Sequence, residues 1–220
     1  MQYLLVMLLS VISVFSTQAQ TPGEFTIARL KYSGGGDWYE NRTSLPNLLQ
    51  ELRTRLQINT APDQSVITPS DSNIFNYPLL YMNGHGTVRF SERDIQNLRE
   101  YFRRGGMLWA DDNYGMDESF RREIARVFPD HPLVEIPHDH PIFFMYYQFD
   151  NGLPKIHEHA GGPPHLFGIF LDGRLAVIYT FNTDIGDGME SEGVHKEDSP
   201  ETRELAMQMG INIAIYAMSN

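Results

Sequence analysis

The sequence contains no cysteine. That removes every thiol mechanism and every disulfide, so core packing has to hold the fold. Long hydrophobic runs are missing too. The most apolar stretch, Tyr3 to Phe15, is shorter than the about 20 residues a helix needs to cross a bilayer. No basic stretch occurs: 17 Lys and Arg stand against 28 Asp and Glu, a net charge of −11. This balance argues against nucleic acid and against anionic lipid as partners. The Gly-x-Ser-x-Gly elbow of serine hydrolases, the phosphate-cradling P-loop and the His-Glu-x-x-His zinc helix are all absent. There is no internal repeat and no low-complexity tract.

The apolar run is followed by Thr17-Gln18-Ala19, a small-residue cleavage signal. Residues 1–19 are therefore expected to be a secretory signal peptide, and residues 20–220 one domain without a stable membrane span. The n-region is weak, since the amino terminus is its sole positive charge, and an uncleaved anchor is the alternative. No cysteine follows the run, which excludes a bacterial lipid anchor. The expected location is periplasmic or secreted.

The mature part begins with strand-like FTIARLKY and the loop SGGGDWYENRTS. Thr43 or Ser44 is placed to cap a helix, with Pro46 in its first turn and Leu45, Leu48, Leu49, Leu52 and Leu56 on one face. SVITPS reads as a short strand and YPLLYMNG as another. Ser91 with Asp94 approaches a capping box for a helix that buries Ile95, Leu98 and Phe102 and ends at Gly105-Gly106. MLWAD has the uniform apolarity of a parallel strand covered on both faces. MDESFRREIARVF follows as a helix with Phe120, Ile124 and Val127 inward. Asp172-Gly173 marks a β-hairpin. SPETRELAMQMGINIAIYAMS reads as a capped helix, although Ile211, Ile213 and Ile215 alternate as in a strand.

Strands alternating with helices through short loops imply a mostly parallel sheet covered by helices, with a β-hairpin in the C-terminal half. Ligands of such sheets bind beyond the carboxyl ends of the strands. Three polar segments fall there. Gly34-Gly35-Gly36-Asp37-Trp38 offers backbone close to a ligand and Trp38 for stacking. In Gly84-His85-Gly86 the glycines leave the imidazole uncovered for acid–base work or metal ligation. Asp111-Asp112-Asn113 ends a buried strand in two carboxylates, which suit a cation, a sugar hydroxyl, or an acid and a base. A turn histidine and a helix cap are the plainer explanations of the last two.

His138-Asp139-His140 and His157-Glu158-His159 each set two histidines two residues apart, on one face of an extended backbone and usable for a divalent metal. Exposed loop histidines are the plainer explanation. NTDIGDGMESE carries Asn182, Asp184, Asp187, Glu190 and Glu192 but fails the EF-hand spacing at Gly186. An acidic loop on the same rim, Asn182 and Asp184 included, is the alternative to a solvated turn.

KYSGGGDWYENRTSLPNLLQELR, YMNGHGTVRFSERDIQNLREYFRRGGMLWADD, HPIFFMYYQF, GRLAVIYTFNTDIGDG and GINIAIYAM together resemble the bacterial domain-of-unknown-function 4159 family, from about Phe25 to Met218. The resemblance implies a three-layer α/β/α, flavodoxin-like fold similar to class I glutamine amidotransferase-like proteins, and it lends no activity. Catalytic members of that superfamily use a cysteine nucleophile after a central strand. This chain has none, so glutaminase activity is rejected. Asp111 or Asp112 is inferred to stand at a comparable location, with no motif matched.

Three functions fit. The first is a ligand-binding or accessory domain holding a small polar ligand at a rim of Asp37, Trp38, His85, Asp111 and Asp112. The second is a hydrolase in which His85, Asp111 and Asp112 are catalytic and a divalent metal is held by some of His138, His140, His157 and His159. The third is a module that docks an envelope protein. Gly35, Gly36, Gly84, Gly86, Asn113, Asn182 and Asp184 complete the expected ligand-binding set.

Overall fold

A computed structural model describes residues 23–112, 114–157 and 161–219. The expected signal segment lies outside the described residues. Among them, a seven-stranded sheet runs in the order β2-β1-β3-β4-β7-β6-β5. Its strands are β1 (Ile27–Leu30), β2 (Ser65–Ile67), β3 (Leu79–Met82), β4 (Met107–Asp111), β5 (Val134–Glu135), β6 (His165–Leu171) and β7 (Arg174–Phe181). The helices are α1 (Ser44–Leu56), α2 (Glu92–Arg103), α3 (Asp117–Val127), α4 (Ile185–Gly188) and α5 (Pro200–Met218). β2, β1, β3, β4 and β7 are mutually parallel, while β6 runs antiparallel to both β7 and β5.

Side chains of a strand alternate between faces, and the core divides accordingly. Ile27, Leu79, Tyr81, Met107 and Trp109 pack with leucines of α1 and the apolar length of α5. Ala28, Leu80, Met82, Leu108 and Ala110 pack with Ile95, Leu98 and Phe102 of α2 and Phe120, Ile124 and Val127 of α3. All five residues of β4 are buried, as its composition required. The Asp172-Gly173 hairpin joins β6 and β7. The C-terminal segment is helical, capped by Ser199 on Thr202 N. Its alternating isoleucines do not make a strand, because the cap and the length of the apolar run outweigh a three-residue period-2 pattern. Among the described residues, no helix is long and apolar enough to cross a membrane.

The capping box of α2 forms as expected, Ser91 accepting from Asp94 N while Asp94 accepts from Ser91 N. At α1 the expected cap is replaced. Neither Thr43 nor Ser44 caps through its own side chain; instead Glu190, 147 positions away, accepts from Thr43 N at 2.9 Å and Thr43 Oγ1 at 3.0 Å. A carboxylate is the better partner for the positive end of the helix. β5, two residues between Pro132 and Pro137, was not foreseen in the sequence; it pairs with β6 at the sheet edge.

Chain order turns back between β1 and β3: β2 lies to one side of β1, and β3, β4 and β7 extend to the other. The carboxyl ends of β1 and β3 therefore lie where the strand order reverses, the position at which such sheets usually bind ligands.

Candidate functional site

Two polar patches occupy the carboxyl ends of the strands. The first lies at the β1/β3 reversal. Asp37 grips His85 twice: Oδ1 accepts the backbone N–H, and Oδ2 stands 3.0 Å from Nδ1. The His85 side chain is 46% exposed and that of Asp37 28%. The loops are zipped together by Gly36 N to Thr87 O at 3.1 Å, Asp37 N to His85 O at 3.2 Å and Arg89 N to Ser33 O at 2.7 Å. Beneath them, buried Tyr32 donates to Asn83 O at 2.9 Å. Burial, helped by the Asp37 charge, pushes the Tyr32 phenol well above its ordinary pKa, so it stays a donor. Trp38 is half-buried, with the Tyr39 ring edge-on at 5.6 Å and Lys31 Nζ at 5.4 Å from its centroid.

Gly84 is required here. Its φ is +126°, and a Cβ there would stand 2.7 Å from Tyr32 Oη and 2.8 Å from Asp37 Oδ1. Gly84→Ala is expected to cost about 1–3 kcal/mol and to release Asp37 from His85. Urea unfolding with histidine NMR checks both; an unchanged His85 resonance would refute the second.

The second patch lies at the ends of β4 and β7. Asp112, Tyr114, His157, Asn182, Thr183 and Asp184 line a void of about 10 Å³, the size of one water. Four of these were expected from sequence. Asn182 is otherwise engaged in building the rim: its Nδ2 donates to Pro163 O at 3.1 Å, and its Oδ1 accepts from Lys155 Nζ at 2.7 Å. Burial raises the Asp112 pKa, and the neighbouring Asp117 charge adds to this. The loops of the two patches approach at Gly86 and Gly115.

Asp111 points the opposite way from Asp112 and is wholly buried. It continues the face of Met107 and Trp109, beneath the rim. Oδ2 accepts from Gly186 N at 2.6 Å and Tyr81 Oη at 3.3 Å; Oδ1 accepts from Thr180 Oγ1 and from Ile185 N at 3.3 Å. Thr180 is its register partner on β7. Burial pushes the Asp111 pKa up to about 7 against the pull of Thr180 and Gly186, with the Asp187 charge adding to the rise. Asp184, buried in left-handed backbone, is raised well above the carboxylate range, first by burial and then by the Asp187 and Asp111 charges. Burial also raises Asp187, which His195 partly offsets. Three carboxyls thus sit close together out of water, a situation in which at least one keeps its proton near neutrality.

The remaining histidines separate. The His138 ring packs edge-on to Phe143 at 6.2 Å, and His140 lies 5.5 Å from Tyr216 and 6.0 Å from Phe170. Burial lowers the His140 pKa. His157 instead faces His195 at 6.0 Å. Asn113 and His159 lie outside the described residues. Among the described residues, no group of three or more His, Asp and Glu side chains is placed to hold a metal ion.

An open groove of about 950 Å³ lies between α1 and the start of α5, under residues 188–198; Glu51, Arg55, Glu190, His195, Asp198 and Arg203 are among its walls. Sequence reading did not single out His195, Asp198 or the buried Arg29. The first two sit in a charged, turn-like run with no motif, and Arg29 alternates within a strand where a solvent-facing charge is the ordinary expectation.

A sequence profile described as "Domain of unknown function (DUF4159)" matches residues 26–218. No curated protein matches the chain.

Proposed function

The chain belongs to the DUF4159 family, and on that premise we propose that it is an exported, non-glutaminase binding domain for a small polar ligand, held at the strand-end rim of a three-layer, flavodoxin-like sheet of the class I glutamine amidotransferase-like kind. The Asp37–His85 pair carries this reading. Asp37 Oδ2 beside Nδ1 orients the imidazole of a half-exposed ring. Glycine backbone on both loops allows close approach, and Trp38 with the exposed Tyr39 suits the apolar face of a sugar ring. Asp112 and Asp184 supply polar groups at the far side of the rim.

The same pair favours acid–base hydrolysis as the second reading, because a carboxylate-oriented imidazole is the arrangement a general base uses. The test is saturation-transfer NMR of the purified protein against mono- and disaccharides and peptidoglycan fragments, with mass-spectrometric detection of cleavage. H85A and D37N are expected to weaken any hit at least tenfold without loss of fold. Hits that both variants retain would sink the rim proposal. Cleavage that H85A abolishes would put hydrolysis ahead of binding.

A further inference from the structure

The first rim patch differs from the rest of the chain in charge. Residues 29–42 carry Arg29, Lys31 and Arg42 against Asp37 and Glu40, a net of +1 in a chain whose net is −11. Several arginines elsewhere are matched with carboxylates: Arg55 with Glu204 at 2.6 Å, Arg104 with Glu100 at 2.7 Å, and Arg121 with Asp117 at 2.6 Å. Lys31 and Arg42 are exposed, and among the described residues neither meets a carboxylate. Each lies by an aromatic ring instead. Lys31 Nζ is 5.4 Å from the Trp38 centroid, and Arg42 Cζ is 5.9 Å from the Tyr39 centroid. Those two rings meet edge-on with centroids 5.6 Å apart, so both cations flank one aromatic pair.

Arg29 adds a third positive charge from beneath. Nη1 reaches Trp38 O at 3.4 Å as well as Glu40 O, and every acceptor of this guanidinium is neutral: carbonyls, side-chain amides and a hydroxyl. Buried charges ordinarily have an opposite charge in contact. Here Glu40 and Glu190 act on the guanidinium through space. Both Asp37 oxygens are engaged by His85, so they do not serve Lys31 or Arg42. Solvated surface cations are the plainer explanation of Lys31 and Arg42. Their position argues for more. They flank the rings that the rim reading stacks on its ligand, at the β1/β3 reversal where such sheets bind ligands.

We propose that the ligand of the rim is a sugar acid, a pyranose ring bearing a carboxylate. The assignment rests on the reading of the rim as a binding site for a small polar ligand, and narrows it to an anion. The apolar face of the sugar lies on Trp38 and Tyr39, and its carboxylate is held by Lys31 and Arg42. A guanidinium grips a carboxylate through two parallel N–H bonds, and an ammonium does so as a point charge. The chain's overall negative charge repels anions, so a local positive patch confines an acidic ligand to this rim.

The experiment compares acids with their neutral partners: glucuronate with glucose, galacturonate with galactose, and N-acetylmuramate with N-acetylglucosamine. Of the two tryptophans Trp109 is wholly buried, so ligand-induced fluorescence changes report Trp38. At low salt at least one acid should bind roughly tenfold tighter than its partner, the effect of one charge-assisted hydrogen bond. The ratio should shrink as salt screens the charges. The double variant K31A/R42A should bring it near one, whereas K196A, at a lysine of the groove beside α5, keeps it. H85A should weaken both members of the pair alike. Ratios near one in the unaltered protein, or a preference that survives in K31A/R42A, would overturn the anionic assignment and leave the rim reading standing. If no sugar of either kind changes the Trp38 signal, both fall.

Discussion

Replacing Arg29 by methionine is expected to destabilise the protein by about 3–5 kcal/mol, because several buried acceptors, each costing about 1–3 kcal/mol when left unmet, lose their donor together. Arg29 is 2% exposed in the middle of β1. Nη1 donates to Glu40 O at 2.6 Å and to Asn83 Oδ1, Nη2 to Asn41 O at 2.8 Å, and Nε to Gln64 Oε1 at 2.8 Å. The guanidinium also lies 5.2 Å from the centroid of the Tyr81 ring. Methionine keeps the length of the stem but supplies no donor, so the backbone acceptors of the β1–α1 loop remain buried and unmet. That loop carries Asp37. The midpoint of thermal unfolding should fall on the order of 10 °C, and urea unfolding gives the free energy directly. A loss below about 1 kcal/mol would mean that water or a loop shift replaces the donors.

Raising the pH from 5 to 8 is expected to weaken the fold, and D111N to remove most of that loss. Asp111 is raised from 3.8 to about 7, chiefly by burial. Between those values the folded protein holds a proton that the unfolded chain has released. The stabilisation is thus complete below the unfolded pKa and is lost as pH rises through the folded one. A shift of this size is worth about 4 kcal/mol. Asp184, Asp187 and Asp112 are raised too and act in the same sense. The lowered carboxyls act oppositely. Glu123, held down by Phe90 N and two arginines against its own burial, and Glu204, held down by Arg55, contribute stability above their unfolded pKa that is lost in acid. Stability should therefore peak near pH 5. Asparagine resembles the protonated acid, so the stability of D111N relative to the unaltered protein should rise by roughly 3 kcal/mol from pH 5 to pH 8.5. Urea unfolding at the two pH values decides. A stability that climbs from pH 5 to 8, or a D111N profile parallel to that of the unaltered protein, would show that Asp111 ionises freely in the fold.

Much of the rim was legible because parallel sheets put their loops in a fixed place. Once MLWAD was a buried strand, Asp111 and Asp112 had to sit at its carboxyl end, and Gly84-His85-Gly86 likewise after YPLLYMN. Alternation in principle also separates the two aspartates, Asp111 following Trp109 inward and Asp112 turning to the other face, yet spacing alone does not say which face is deeper. The paired histidines were harder. His138 and His140 are two residues apart, but the chain bends there into a short 3-10 turn, and each ring packs among its own aromatics.

The sequence by itself determined the α/β class, the hairpin, the capping box of α2 and the terminal helix. Each of these follows from side-chain period, capping residues and glycine within a dozen neighbouring positions. It also determined, through the missing cysteine, that no thiol chemistry occurs. Tertiary structure alone decided that β7 inserts beside β4, which sets Thr180 and Gly186 on Asp111. It alone brought Glu190 to the start of α1 and His195 to Asp187 and Glu190. These contacts join residues far apart in the chain or separated by turns, where local spacing carries no information; they form because strand order and helix packing leave buried polar atoms that must find partners across the fold.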